Sequence, residues 1–210
     1  MALLPKALTL VDTVATRLVG PDVTLSAEEV AKIELLIHSV SDAIASIAGR
    51  PLHYEERTLT LPHRGGPFLD LTVAPIVSVS ELLVVDEEGV LDAYASTEYG
   101  VDLAGGWLWK SSEWAPSEVP RYRMTFIGGY VTDRVAELDA AEATPLGLTR
   151  DLPYTLEQAC IQGVAALWHR SGNPLISSDS TTDKSVAYRT LLGALPPEVV
   201  DTALAYRRRA

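Results

Sequence analysis

The chain has 210 residues, of which 47% are hydrophobic and 21% charged, a composition typical of a folded globular protein with one or two domains. Seventeen basic against 28 acidic residues give a net charge of -11, which would repel a polyanion and therefore disfavours general nucleic-acid binding. No apolar run approaches the roughly 20 residues that a membrane-spanning helix needs, and no secretory signal is visible, so we predict a protein without a membrane partner that stays in the cytoplasm where it is made.

Two helices are predicted in the N-terminal quarter of the chain. The first covers about Val11 to Leu18 and ends before Gly20. The second covers Ala27 to Ala48, where Ser26 and Glu29 have the spacing of a capping box and a glycine followed by a proline marks the end. Its apolar residues recur at spacings of three and four and form one face: Val30, Ile33, Ile37, Val40, Ile44 and Ile47.

The middle of the chain, residues 55–130, changes from helical to alternating periodicity, which predicts short strands. Turn residues, mainly glycine pairs and the acidic stretch 86–88, separate these strands and favour an antiparallel sheet or a small sandwich. The predicted strands are Thr58–Leu61, Phe68–Leu71, Ile76–Val85, Tyr99–Leu103, Trp107–Trp109 and Arg121–Ile127.

The last third of the chain returns to helical periodicity. Residues 131–152 are interpreted as a loop with one helical turn, and a helix is predicted from Thr155 to Arg170. The segment 177–185 is rich in Ser, Thr and Asp and is predicted to be mobile when the protein is alone. A final amphipathic segment runs from Pro197 to Arg207 and continues into further arginines.

These elements predict an α+β fold in which helices from both ends of the chain form one layer. Residues 1–54 and 153–210 are expected to make a helical core with a C-terminal arm. Residues 55–152 are expected to be a β-rich insertion with its connecting loop.

The sequence contains no recognisable catalytic or metal-binding motif, so we predict that the protein is not an enzyme and binds no cofactor. The four histidines, at positions 38, 53, 63 and 169, are too scattered to form a metal site. No glycine motif matches a phosphate-binding loop, and no serine lies in a nucleophile elbow. The single cysteine, Cys160, excludes an internal disulfide and is expected to be a small core residue.

Two groups of residues are candidates for a protein interface. Trp107, Trp109 and Trp114 lie within eight residues, and such a cluster fills a core, anchors a partner or forms a carbohydrate platform. Tyr206 and the run Arg207, Arg208 and Arg209 end the last helix. These arginines are either a solvated tail or a contact to the phosphates or acidic side chains of a partner.

A series of short motifs, spread over residues 8–174, resembles head-tail connector proteins of long-tailed double-stranded DNA phages. The motifs are Ile47-Ala48-Gly49-Arg50-Pro51, Leu69-Asp70-Leu71, Ala74-Pro75-Ile76-Val77-Ser78-Val79, Tyr99-Gly100-Val101-Asp102, Met124-Thr125-Phe126-Ile127-Gly128-Gly129-Tyr130, Leu152-Pro153, Gln158-Ala159 and Trp168-His169-Arg170. Each motif is common, whereas their order and spacing together are more specific. The long 131–152 connection and the 177–185 segment depart from the pattern.

The resemblance implies a structural subunit of the virion neck at the head-tail junction, also called an adaptor or head completion protein. Such subunits form a homo-oligomeric ring, commonly a dodecamer, that docks beneath the portal protein and extends the DNA channel without specific DNA binding. They also offer a platform to a stopper or tail-completion protein. We expect the region after Gly172 to insert against the portal. The alternatives are another neck component, namely a stopper or tail-completion protein, or a carbohydrate- or ligand-binding module.

Overall fold

The computed structural model describes residues 6–63, 66–71, 73–85, 89–114, 117–142, 144–171 and 195–207. The fold is α+β, as the sequence predicts. The chain forms two compact units: residues Met1–His53 with Val131–Ala210, and residues Tyr54–Tyr130. The turn at 86–88, the segment 177–185, and Arg208 and Arg209 lie outside the described residues.

The first unit is helical. Its helices are α1 (Val11–Val19), α2 (Ala27–Ala48), α3 (Asp133–Ala140), α4 (Tyr154–Ser171) and α5 (Pro197–Ala205). The sequence predicts all of them within two residues at either end except α3.

Helix α2 begins and ends where its local sequence predicts. The Glu29 amide donates to Ser26 Oγ at 3.3 Å, and the Ser26 amide donates to Glu29 Oε2 at 2.8 Å, so both halves of the capping box form. Gly49 ends the helix with φ of 65°, a left-handed conformation that glycine adopts without strain. On the predicted apolar face, the four central residues, Ile33, Ile37, Val40 and Ile44, are completely buried.

Helices α2, α4 and α5 pack against one another, and Gly163 of α4 lies close to α2 and to Leu195, which precedes α5. A Cβ atom at this glycine would lie 2.8 Å from Val40 Cγ1 and 3.2 Å from Leu195 Cδ2. The lack of a side chain at Gly163 therefore allows α4 to approach both neighbours closely. Val199 and Ala203 of α5 are completely buried, so the last helix is part of the helical core.

Residues 131–152 contain more structure than the loop with one helical turn that the sequence predicts. Thr132 caps α3 by accepting a hydrogen bond from the Val135 amide at 3.2 Å. Near the end of the helix, the buried Asp139 carboxylate accepts from the Leu146 and Leu148 amides, which follow the helix, each at 2.8 Å. The prediction was wrong here because a short, acidic helix lacks a strong apolar period, and its stability comes from these polar contacts.

The second unit contains two antiparallel sheets. Their strands are β1 (Glu55–His63), β2 (Gly66–Asp70), β3 (Ile76–Val85), β4 (Val90–Ala93), β5 (Gly100–Asp102), β6 (Trp107–Trp114) and β7 (Ser117–Gly128). In the described residues one sheet has the order β1-β7-β3-β4 and the other β2-β6-β5. Strand β4 was not predicted, because four residues are too few for a clear alternation.

The two sheets of this unit share one hydrophobic core. Met124 of β7 pairs with Leu59 of β1 on one side and with Leu82 of β3 on the other. Strands β2 and β6 contribute Leu69 and Leu108 from the second sheet. The buried cluster comprises Leu69, Leu71, Val73, Ile76, Leu82, Leu108, Trp114, Tyr122, Met124 and Phe126. The sequence favours either an antiparallel sheet or a small sandwich, and the structure has the second arrangement, with alternate residues of each sheet facing inward.

Candidate functional site

The three tryptophans that the sequence singles out all lie on β6, but they do not form one surface. Trp114 has no exposed area, and its indole Nε1 donates to the Pro67 carbonyl oxygen at 3.0 Å. Its ring meets Tyr122 edge to face at 5.3 Å and Tyr94 at 5.7 Å between ring centroids. Lys110 Nζ lies 5.1 Å from the Trp114 ring centroid. The structure thus places Trp114 in the core, where it is not available to a partner.

Trp109 lies on the opposite, outer face of the three-stranded sheet and is 50% exposed. Trp114 is five positions further along β6, and an odd offset along a strand reverses the face. Trp109 pairs directly with Phe68 of β2, which is 59% exposed. Directly opposed residues of antiparallel strands have Cβ atoms about 5 Å apart, so the two exposed aromatic side chains are neighbours.

The ring of Trp109 lies over Gly100, its pairing partner on β5. A Cβ atom at position 100 would lie 2.2 Å from Trp109 Cε2 and 2.4 Å from Trp109 Nε1. Any side chain at Gly100 would therefore displace the indole from this position. The glycine allows the ring to lie across the neighbouring strand.

Two carboxylates stand next to these aromatics on the same outer face. Asp70 and Asp102 are the residues paired with Trp107, and each lies two positions from Phe68 or Gly100 along its strand. Asp102 Oδ1 accepts from the Gly105 amide at 2.9 Å and from the Ala104 amide at 3.2 Å.

We call this surface the aromatic-acidic face. It consists of Phe68, Asp70, Gly100, Asp102, Trp107 and Trp109. Four of these residues, Phe68, Asp70, Gly100 and Asp102, are not among the site residues predicted from the sequence. The alternation within β2 and β5 could have indicated their common orientation, but the pairing of β2, β6 and β5 is not visible in the sequence. An exposed aromatic pair beside two carboxylates has the chemistry to bind a cation, above all an arginine guanidinium.

The second candidate group lies at the end of α5. The Tyr206 hydroxyl is 2.7 Å from Thr155 Oγ1 of α4, and Arg207 follows as an exposed residue. Tyr206 is therefore an anchor that fixes the point at which the arginine run begins. Arg208 and Arg209 are outside the described residues.

Cys160 is completely buried, as the sequence predicts. Its Sγ lies 3.6 Å from Ser41 Oγ, and burial raises the pKa of its thiol to about 12. A thiol with such a pKa is protonated at neutral pH and does not act as a nucleophile.

A polar cluster around the buried Glu157 carboxylate of the helical unit was not predicted. Arg150 Nη2 donates to Glu157 Oε2 at 2.6 Å, and its Nε lies 3.2 Å from Asp133 Oδ2. Thr9 Oγ1 donates to Glu157 Oε1 at 3.4 Å. Burial raises the pKa of Glu157, while the charge of Arg150 opposes the shift. Because Thr9 is 148 residues from Glu157 in sequence, no local pattern predicts the cluster. The hydrogen bonds that Glu157 accepts indicate a structural role.

Within the described parts of the chain, no group of three His, Cys, Asp or Glu residues could hold a metal ion. Over the same residues, no helix is both long and apolar enough to cross a membrane.

No protein-family model matches the chain, and no curated protein matches it. Its fold is similar to that of a chain in the neck of an empty gene transfer agent particle computed with C6 symmetry, with a TM-score of 0.58 and 21% identity over 100% of this chain and 94% of that chain. It is also similar to a chain in the neck of the native particle computed with C12 symmetry, with a TM-score of 0.56 and 20% identity over 100% of this chain and 93% of that chain. A chain in the virion of the native particle has a TM-score of 0.53 and 23% identity over 93% of this chain and 92% of that chain. At these identities the comparisons show a common fold.

Proposed function

We propose that this protein is a structural subunit of a virion neck and that it acts as the head-to-tail adaptor. In this role its copies form a ring, which we propose to be a dodecamer, beneath the portal protein at the head-tail junction. The ring extends the DNA channel and is the docking platform for a stopper or tail-completion protein. The protein is made in the host cytoplasm and has no catalytic activity of its own.

The observation that carries the proposal is the similarity of fold along the whole chain. The alignment with the neck chain covers 100% of this protein and 94% of its neighbour, so both units and their order along the chain are included. The neck structures are computed with C6 and C12 symmetry, which supports a homo-oligomeric ring. The order of motifs that resembles head-tail connector proteins adds support, because it is a property of the sequence and does not depend on the comparison of folds.

The charge of the protein also supports a place around a DNA channel. Each chain carries a net charge of -11. Because tight binding of duplex DNA depends on neutralising its phosphates with basic residues, an acidic ring would let DNA pass without specific binding.

Electron microscopy of purified particles tests the proposal. Particles that carry the protein with a small terminal tag should show annular density directly beneath the portal, with the label at that level. Particles that lack the protein should contain packaged heads without attached tails. Label one ring further from the portal would identify a stopper or tail-completion protein instead, and a monomer that is missing from particles would refute a neck role altogether.

The contact with the portal that the sequence assigns to the region after Gly172 stays a prediction, because residues 172–194 lie outside the described part. Deleting residues 197–210 is not a clean test of it. Since α5 is packed in the helical core through Val199 and Ala203, the deletion would destabilise the fold as well. Substitutions within residues 173–194 change no residue of α5 and are the better variants for portal-binding experiments.

A further inference from the structure

The aromatic-acidic face and the arginine run have complementary chemistry. We propose that this face binds the run Arg207-Arg208-Arg209 of a second copy of the chain, so that neighbouring copies are joined head to tail. The inference rests on the proposed ring and adds the residues through which its subunits recognise one another.

The exposed aromatics are the first reason to regard the face as a binding surface. Phe68 and Trp109 are directly paired and each has half or more of its area exposed. Large aromatic side chains grouped at the surface gain free energy only when something covers them. Trp109 is also positioned in advance, because it lies over Gly100, and a side chain held before binding loses little conformational entropy on binding.

The two carboxylates specify the kind of partner. Asp70 and Asp102 lie in the row of paired residues next to Phe68 and Trp109. An arginine guanidinium can stack on an aromatic ring and at the same time donate hydrogen bonds to a carboxylate. An apolar side chain would satisfy only the aromatic half of this surface, and a lysine lacks the planar guanidinium that stacks on a ring while donating paired hydrogen bonds to a carboxylate.

The chain itself supplies a segment with this chemistry. Arg207, Arg208 and Arg209 are the longest run of consecutive basic residues in the sequence. The start of the run is fixed, because the Tyr206 hydroxyl contacts Thr155 Oγ1 at 2.7 Å and Arg207 follows in an exposed position.

The symmetry of a ring favours a second copy as the occupant. Head-to-tail rings use two different surfaces of the same chain, and these surfaces must be complementary. Copies that each carry a net charge of -11 repel one another, so a contact between them needs local attraction. A basic run on one copy and an acidic aromatic face on the next provide it.

Cross-linking in assembled particles tests the inference. One variant carries Leu103→Cys in the turn next to Asp102, where the side chain is exposed, and the other carries Arg209→Cys. Cys160 does not interfere, because it is completely buried. Particles assembled from a mixture of the two variants should give a disulfide between chains on mild oxidation, whereas particles containing either variant alone should not.

Substitutions on the face provide a second measurement. In the full-length protein, Trp109→Ala and Asp102→Asn should each weaken association between copies by about tenfold or more in sedimentation experiments. The asparagine keeps an acceptor for the Ala104 and Gly105 amides, so the turn is preserved. Leu146→Ala, at a side chain that is 74% exposed in the helical unit, is the matched control and should leave association unchanged.

Each alternative result identifies a different error. A cross-link that forms only within a chain carrying both cysteines would refute docking onto a second copy. A cross-link from Arg209→Cys to the portal, or glycan binding that Trp109→Ala abolishes, would assign the run or the face to another partner and overturn the inference. Normal annular density without any cross-link would also overturn the inference, but it would be consistent with the proposed neck role. Absence of annular density from wild-type particles would contradict the proposed function itself.

Discussion

The assignment of Trp114 to the core and Trp109 to the surface predicts very different effects for the same substitution on the same strand. Complete burial of a tryptophan removes about 150–250 Å² from water, which at about 25 cal/mol per Å² corresponds to an upper value of about 4–6 kcal/mol. Trp114→Ala would also leave the Pro67 carbonyl without the indole donor that lies 3.0 Å away. Trp109 is 50% exposed, so Trp109→Ala should cost about half as much or less.

Urea unfolding of the two variants, followed by circular dichroism, measures this difference. We expect Trp114→Ala to lower the free energy of unfolding by about 2–3 kcal/mol more than Trp109→Ala does. Trp109→Ala should retain the wild-type fold, which is also required for its use in association experiments. Equal losses for the two variants, or a larger loss for Trp109→Ala, would show that the orientation of β6 is wrong.

Three further substitutions test the helical unit. Gly163→Val should destabilise the protein, because a Cβ at position 163 would lie 2.8 Å from Val40 Cγ1. We expect a loss of about 1–3 kcal/mol more than for the control Gln162→Val at the neighbouring exposed position. Equal shifts of the melting temperature for the two variants would contradict this packing. Hydrogen bonds from the Leu148 and Leu146 amides lower the pKa of Asp139 from its ordinary value of 3.8. The carboxylate therefore contributes stability above pH 3.8, and this contribution is lost as the pH falls through its folded-state pKa. Urea titrations at several pH values should show that Asp139→Asn removes this loss. Burial raises the pKa of Glu157 above its ordinary value of 4.5, so this group makes the protein more stable as the pH falls from the raised pKa towards 4.5. Glu157→Gln should abolish this trend in the free energy of unfolding. An unchanged dependence of that free energy on pH would exclude Glu157 as its source.

The helices that could be predicted are those whose boundaries and apolar faces are encoded locally. Helix α2 has a capping box at Ser26, a regular apolar stripe and a terminating glycine, and all three appear in the structure. Helix α3 was missed, since its stability depends on a cap at Thr132 and on a buried Asp139 that binds amides seven and nine residues further along the chain. Such contacts exist only after the chain has folded.

The candidate site was predicted only in part for a related reason. The tryptophans of β6 are conspicuous in sequence, and the odd spacing between Trp109 and Trp114 already implies opposite faces of a strand. Phe68 and Gly100, however, are 41 and 9 residues away from Trp109 in sequence, and only the pairing of β2, β6 and β5 brings them beside it. That pairing is set by the shared core of the two sheets, which local turn and strand signals do not specify.

The ionic strength of the solution should act on the proposed ring in two opposite ways. Copies with a net charge of -11 repel at long range, and added salt screens this repulsion, since the Debye length falls from about 30 Å at 0.01 M to about 8 Å at 0.15 M. The contact that we propose between the arginines and the aromatic-acidic face would act at short range and would be weakened only at higher salt. Association between copies should therefore be strongest at intermediate ionic strength. Sedimentation across a salt series checks this, with Asp102→Asn expected to reduce the decline at high salt; a steady increase of association with salt in the wild-type protein would mean that apolar contacts alone hold the copies together.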